Sequence, residues 1–541
     1  MSLLDKASLV QIPSGYKEDK LYSVVPDSGA GDFTFSRSST GTRVNADGLI
    51  EEVPWNQLTY SEDFSSWGAW RQGAALPVTV TTNVAESPTG TLTADRIQCD
   101  QVSLGSPNRV GVRQDVTFAP LQRFTVSVWA KSASGNDEAL QIIGYGGTSV
   151  TPGSFTATNE WQKFSRTIEV KPTGAAVSII IGLFSNQTVT TSDVYLWGAQ
   201  VVLGETEKPY IKTTDRLNIP RLDYSDGSCA SLLLEPQSTN YVADSEGWSN
   251  FGTTGTTQYT NQTDINGGNK AMRIVYSLGT VGYNGFNLGG TRNGKASIYI
   301  KSNTTDTYNM RMSSNTSAAQ NITVTPTWQR ISVDAVNWTF MSLDNYDNGV
   351  WAAADISTCF WQMETLSYAT SYIPTSGSTV TRNADVSETS GLSSLINSQE
   401  GVLFLEIKSL GFDTQNRSIS IYDGINTNGY LNRVQIGYFG SDQISFLYRT
   451  ISGNVFLQNI NVTQQQTNKF ALKYKENDFS AYINGVKVAE QSSGSVAAVG
   501  TFTNIATHNG NNASNFFGKC NQIILFNQAL TDTELEELTT L

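Results

Sequence analysis

A single histidine, His508, lies within Ala506-Thr-His-Asn-Gly-Asn-Asn512, so any Ser-His-Asp or Cys-His chemistry in this chain must pass through it. A triad needs three groups in mutual hydrogen-bond reach. The flanking residues read as a polar loop with no partner motif. One histidine also excludes a multi-histidine metal site within a single chain. A glycosidase working through two carboxylates stays open, because such pairs have no fixed separation in sequence.

Oxygen-rich loops suit calcium, a hard cation. Asp344-Asn-Tyr-Asp347, Asp423-Gly424 and Asp193 could hold it as a structural ion, although solvated turn residues are the commoner reading of such clusters. No other cofactor is expected. The glycine-rich runs 144–147 and 285–294 open no helix, which argues against phosphate binding. Aromatic side chains are the natural ligand contacts, since a sugar's C–H face packs on a ring while neighbouring Asn, Asp and Gln satisfy its hydroxyls. Tyr430, Tyr438 and Tyr448 flank Asn- and Gly-rich turns and are the candidate ligand-binding residues. Trp129, Trp161, Trp197, Trp328 and Trp361 alternate with polar neighbours and read mainly as core.

These groups need positioning by an all-β chain. Charged residues make up 15% of the 541, and Gly, Ser, Thr and Asn are abundant, a balance suited to short strands and polar loops. Alternating runs such as Phe124-Thr-Val-Ser-Val-Trp129 and Asn477-Asp-Phe-Ser-Ala-Tyr-Ile483 predict strands. Helical signals gather only at the end. There Thr531-Asp-Thr-Glu534 offers a capping box, and Leu535, Leu538 and Leu541 recur every third residue, predicting one short helix packed on a sheet.

A net charge of −13 makes nucleic acid an unlikely partner. Met1-Ser-Leu-Leu-Asp-Lys6 lacks the pattern of a signal peptide, and no run of about 18 apolar residues occurs, so neither export nor membrane insertion is expected. Cys99, Cys229, Cys359 and Cys520 lie far apart and read as free thiols.

Several segments recur in order. Asn56-Gln-Leu-Thr-Tyr-Ser-Glu62 returns as Asn240-Tyr-Val-Ala-Asp-Ser-Glu246, Ala94-Asp-Arg-Ile97 as Ala271-Met-Arg-Ile274, and Trp161-Gln-Lys163 as Trp328-Gln-Arg330. Val126–Ser132 matches Ala296–Ser302, and the run from Trp197 to Tyr210 matches that from Trp361 to Tyr372. Two related β domains therefore follow each other. All eleven tryptophans lie at or before Trp361, which marks the last section as a different kind of domain.

The phrases Arg43-Val-Asn-Ala-Asp-Gly-Leu-Ile-Glu51, Leu233-Leu-Glu-Pro-Gln-Ser-Thr-Asn240 and Ala369-Thr-Ser-Tyr-Ile-Pro-Thr375 followed by Thr381-Arg resemble connector motifs of modular tailed-bacteriophage virion proteins. In that family they join carbohydrate-binding-module-like jelly rolls to terminal lectin-like domains. Tyr482-Ile-Asn-Gly-Val-Lys-Val488 and Phe516-Phe-Gly-Lys-Cys-Asn-Gln-Ile-Ile-Leu-Phe526 resemble the hairpin and final strand of laminin-G or concanavalin-like sandwiches. The Asn484-Gly485 pair also has a physical reason, since a two-residue hairpin needs positive φ at both turn positions.

The expected organisation is an N-terminal virion-attachment segment over 1–55, jelly rolls over 56–215 and 239–375, a connector over 216–238, a flexible linker over 376–398 and a laminin-G-like sandwich over 399–541. The resemblance implies a non-enzymatic head or tail fibre or decoration protein on the virion surface, binding cell-surface glycans. Other virion proteins would be its partners. Linked weak sites gain avidity, so a homotrimer is expected too. Two alternatives remain: a purely architectural capsid or tail spacer, and a polysaccharide depolymerase.

Overall fold

Alternate residues of each strand face one side, and where those residues are apolar two sheets close on them. The computed structural model describes residues 3–541 apart from 18, 106, 119–121, 150, 152, 172–175, 185–187, 249–250, 315–316, 412–414, 426–431, 441 and 512. The fold is all-β, built of β-sandwiches from antiparallel sheets, and Asp532–Thr539 is the single α-helix among the described residues. Among the described residues no helix is long and apolar enough to cross a membrane.

The first sandwich is one eleven-stranded sheet folded over itself around Val112, Phe124, Val128, Ile142, Ile181 and Leu196. The second is eight-stranded, and its strands Tyr283–Ser302 and Gln329–Asp344 run through both layers. Each changes layer at a corner where the pairing register slips, between Asn287 and Gly294 on the first strand. The glycine-rich run 285–294 thus supplies a bend.

Duplication is visible in matched hydrogen bonds. Asn56 donates to the carbonyls of Ala199 (3.0 Å) and Ile211 (3.1 Å) and accepts from the amides of Leu58 and Val201. Asn240 does the same with Trp361 (3.1 Å), Ile373 (2.9 Å), Val242 and Met363. The pairs Arg96–Asp193 and Arg273–Asp355 are likewise matched, each bidentate with an Nε–Oδ1 distance of 2.8 Å. One equivalence differs from expectation. Gln200 and Gln362 accept from Ile211 and Ile373 in the same way, which places Trp197 opposite Cys359 in the alignment and Trp361 opposite Ala199. The tryptophans sit two residues apart, and ring stacking on Tyr210 and Tyr372 comes from Trp197 in one copy and Phe360 in the other.

The third sandwich is discontinuous. Residues 1–55, expected as a separate attachment segment, supply Leu9–Gln11 to one of its sheets and Phe33–Ser36 to the other. Leu9 pairs with Leu525, and Leu9, Leu21, Phe33 and Phe35 are buried in the core formed by Leu403, Ile421, Phe446 and Phe470. These pieces are short and apolar on one face, so they need a sheet to join. The 216–238 connector contributes Leu222–Asp223 and Ser231–Leu234 to the same sandwich. The 376–398 stretch is not a free linker either: Val380–Arg382 pairs with Ser238–Asn240, and Val386–Thr389 lies between Phe33–Ser36 and Asn504–Ala506. Both duplicated sandwiches are therefore insertions into the third.

The connector phrases meet at a buried ionic junction. Arg37 and Arg221 both bind Asp385, and Glu235 is held by Arg221 (2.6 Å) and Arg382 (2.8 Å). Glu235 also accepts from the amide of Ser371 at 2.6 Å. Burial pushes the Glu235 carboxyl up, but Arg382, Arg221 and Ser371 outweigh it and hold it down at about 2. Burial draws Arg37 down to about 10 despite Asp385. Such a cluster fixes geometry more than it adds stability, because desolvation offsets most of its Coulomb gain.

The C-terminal helix carries the expected capping box. The Thr531 side chain accepts from Glu534 N, and Glu534 reaches back to Thr531 N. Leu535 is buried and Leu538 packs beside it, whereas Leu541 stays 71% exposed. The Asn484-Gly485 turn has positive φ at both positions, as its hairpin requires.

Candidate functional site

Two of the three tyrosines proposed from sequence lie in the core. Tyr438 and Tyr448 are buried in the third sandwich, where Tyr438 stacks near Phe516 and Tyr448 packs on Phe479. Tyr448 Oη accepts from Ala497 N at 2.8 Å, and burial lifts its hydroxyl to about 12. Parity explains the burial. Val434, Ile436 and Tyr438 share one face of their strand, as do Ile444, Phe446 and Tyr448, and that face is the core. Tyr430 lies outside the described residues.

His508 is also internal. Its Nδ1 accepts from Gly510 N at 3.0 Å, which leaves Nε2 to donate toward Glu388 at 3.3 Å. Ser420 Oγ binds the His508 carbonyl rather than the ring, so the residue braces its loop. Three of the suggested calcium ligands accept hydrogen bonds from protein donors. Asp193 is held by Arg96, Asp423 by Asn432, and Asp344 by Arg311. No group of three or more His, Cys, Asp or Glu placed to hold a metal ion occurs among the described residues.

A different feature stands out on the second sandwich: a cleft of about 610 Å³ lined by Gly252, Thr253, Thr254, Tyr283, Ser313, Ser314, Phe340, Ser342, Asp344 and Trp351. Strand register builds it. Gly252 pairs with Gly285, Gly285 with Ser342, and Ser342 with Ser313, so these four form one row across the sheet. The next row runs Thr254, Tyr283, Asp344 and Arg311. Neither glycine can be enlarged freely: a Cβ on Gly285 would lie 2.0 Å from the Met341 carbonyl, and one on Gly252 would meet the Phe340 ring at 3.3 Å.

One wall is aromatic. Trp351 stands on the hairpin Tyr346–Asp347 and Val350–Trp351, whose Asn348-Gly349 turn has positive φ at both residues. The Tyr346 ring meets Trp351 edge-on at 5.0 Å, and the Arg311 guanidinium lies 4.3 Å from the Tyr346 ring centre. The indole is thus braced in place. Tyr283 is 43% exposed, and Phe340 is half-buried.

The floor is polar and internally satisfied. Asp344 accepts from Arg311 Nε at 2.8 Å and from Tyr346 N at 3.1 Å through Oδ1, and from Ser313 Oγ at 3.0 Å through Oδ2. Ser313 and Ser342 hydroxyls lie 3.0 Å apart. Rings presented over fixed hydroxyls and a carboxylate can hold a flat, hydroxylated ligand by stacking on one side and hydrogen bonding on the other. Sequence reasoning missed the cleft because its residues come from five strands. The Asn-Gly turn after Asp347 with a tryptophan two residues on was the available signal.

No protein-family model matches the chain. No curated protein matches it. Among solved structures it is similar to the CBM40 domain of the Ruminococcus gnavus IT-sialidase bound to α2,3-sialyllactose, at 15% identity and a TM-score of 0.25, over 28% of this chain and 91% of that one. It is also similar to the tandem CBM22-1–CBM22-2 domain of Paenibacillus barcinonensis Xyn10C, at 11% identity and a TM-score of 0.21, over 60% and 94%. A third likeness is to the enzymatically active domain of bacteriophage CBA120 tailspike protein 4, at 15% identity and a TM-score of 0.21, over 28% and 22%. Values this low leave function to be read from the cleft.

Proposed function

We propose that this chain is a non-enzymatic glycan-binding protein of a tailed-bacteriophage virion, a head or tail fibre or decoration protein that places β-sandwiches on the particle surface for host adhesion. The cleft of the second sandwich carries the glycan-binding part of the reading. Trp351, Tyr283 and Phe340 offer rings to a sugar face, while Asp344, Ser313 and Ser342 stand ready for its hydroxyls. Its lining includes one carboxylate, Asp344, engaged by Arg311, whereas glycoside hydrolysis ordinarily uses two flanking the bond. That favours binding over a depolymerase. The connector phrases over 43–51, 233–240 and 369–382 support the virion assignment, and a laminin-G-like third sandwich belongs to the same reading. Other virion proteins are the assembly partners, and trimerisation would multiply weak single-site affinity.

Glycan binding is tested on an array with the full chain and with Trp351→Ala. At least one saturable hit is expected, weakened about tenfold or more by the substitution. An array with no hit would leave the architectural spacer as the reading. Virion assignment is tested by mass spectrometry of purified particles from cells making this chain, where the intact polypeptide should co-purify.

A further inference from the structure

The nine-stranded sheet of the third sandwich turns one face to the core and the other outward. On the outer face Tyr422, Arg433, Arg449 and Asn454 form one row, and Ser420, Gln435, Leu447 and Leu457 form the next. A pocket of about 220 Å³ opens there, on a different sandwich from the cleft, and among the described residues its lining contains no Asp or Glu. In a chain of net charge −13 that is a local reversal of sign.

Arg433 is incompletely used. Its Nη1 reaches the Asn509 carbonyl only at 3.4 Å, and its Nε is buried without a hydrogen-bond partner among the described residues. Burial, and then the facing Arg449, draw the Arg433 guanidinium below its ordinary range. Beside it, Gln435 Oε1 is a buried acceptor without a donor among the described residues. Phe439 (43% exposed) and Leu457 (45% exposed) add an apolar rim. An anion alone would answer Arg433 but not Gln435. A ligand joining a carboxylate to a hydroxyl donor answers both, and the pocket has room for a single sugar residue.

We propose that this pocket, through Arg433, Arg449 and Gln435, binds the carboxylate of an acidic sugar, a uronic or sialic acid residue. The Arg433 fork suits a planar carboxylate, Arg449, whose Nη1 donates to Asn454 Oδ1 at 3.0 Å, adds positive charge beside it, the glutamine oxygen takes a ring hydroxyl, and the Phe439–Leu457 rim covers the sugar's apolar edge. The site is separate from the cleft, so the two stand or fall independently.

The full chain is titrated calorimetrically with sodium glucuronate, N-acetylneuraminate, glucose and inorganic phosphate. Saturable binding of at least one sugar acid is expected, with glucose and phosphate about tenfold weaker or absent. R433Q and R449Q should each weaken the acid about tenfold without lowering the melting temperature, and W351A should leave it unchanged. R433K, which keeps the charge and the fold but not the fork, should fall between wild type and R433Q. No binding of either acid, phosphate binding as tightly as the acids, or full affinity in both glutamine variants would overturn the proposal.

Discussion

Trp70 in the first sandwich and Gly252 in the second occupy the same place in register. Trp70 pairs with Gly111 and Gly111 with Gly182, just as Gly252 pairs with Gly285 and Gly285 with Ser342. The first copy thus carries an indole, packed 5.4 Å from Phe184, where the second copy is bare.

Gly252→Trp should therefore close the cleft. The backbone at 252 needs no positive φ, and the nearest obstacle is the end of the Phe340 ring, a side chain that can shift. A stability loss of about 1–3 kcal/mol is expected. Glycan binding should drop at least tenfold, as read by array and calorimetry, while the melting transition remains cooperative.

Glu235 makes stability depend on acid. Its carboxyl sits at about 2 in the folded chain against an ordinary value of 4.5. A depressed acid stabilises the fold fully above its unfolded value, and that contribution drains away as pH falls from there through about 2. Melting temperatures should be level from pH 7 to about 5 and fall below it. Glu235→Gln should lose about 3–5 kcal/mol at pH 7, because Arg221 and Arg382 remain buried with less countercharge, and its curve below pH 5 should be flatter.

Asn56→Ala and Asn240→Ala each remove four main-chain hydrogen bonds inside one sandwich. Each should cost roughly 3 kcal/mol or more. Scanning calorimetry should show a different transition shifted by each variant, since the two sandwiches have separate cores.

Fragments should behave according to the sheets. Residues 56–215 hold every strand of the first sandwich and should fold alone. Residues 395–541 lack Leu9–Gln11, Phe33–Ser36 and Ser231–Leu234, leaving Phe446, Ile421 and Leu525 partly uncovered. That fragment should bind hydrophobic dyes and aggregate, and adding residues 1–55 in trans should not restore the missing 231–234 strand.

Much of this was legible locally. The alternation of Phe124 to Trp129, the Thr531–Glu534 cap and the Asn484-Gly485 turn are short-range signals, and each stands in the structure as read. Duplication was legible because Asn56 and Asn240 sit in recurring phrases. Pairings such as Leu9 with Leu525 leave no local trace, so the discontinuity of the third sandwich was invisible. The burial of Tyr438 and Tyr448 had a signal in the sequence: they keep step with Val434, Ile436, Ile444 and Phe446, and the residues out of step with them, Arg433, Gln435 and Arg449, are those that face outward.

The pairing of Leu9–Gln11 with Gly518–Phe526 carries a consequence for biosynthesis. A ribosome adding about 5–20 residues per second needs roughly half a minute or more to traverse the intervening stretch of about 500 residues. Both inserted sandwiches can mature in that interval, while Leu9–Gln11 waits without its neighbour. Completion of the third sandwich therefore follows that of the two it encloses, and a chain released before Gly518–Phe526 is made would leave Leu9–Gln11 without this partner.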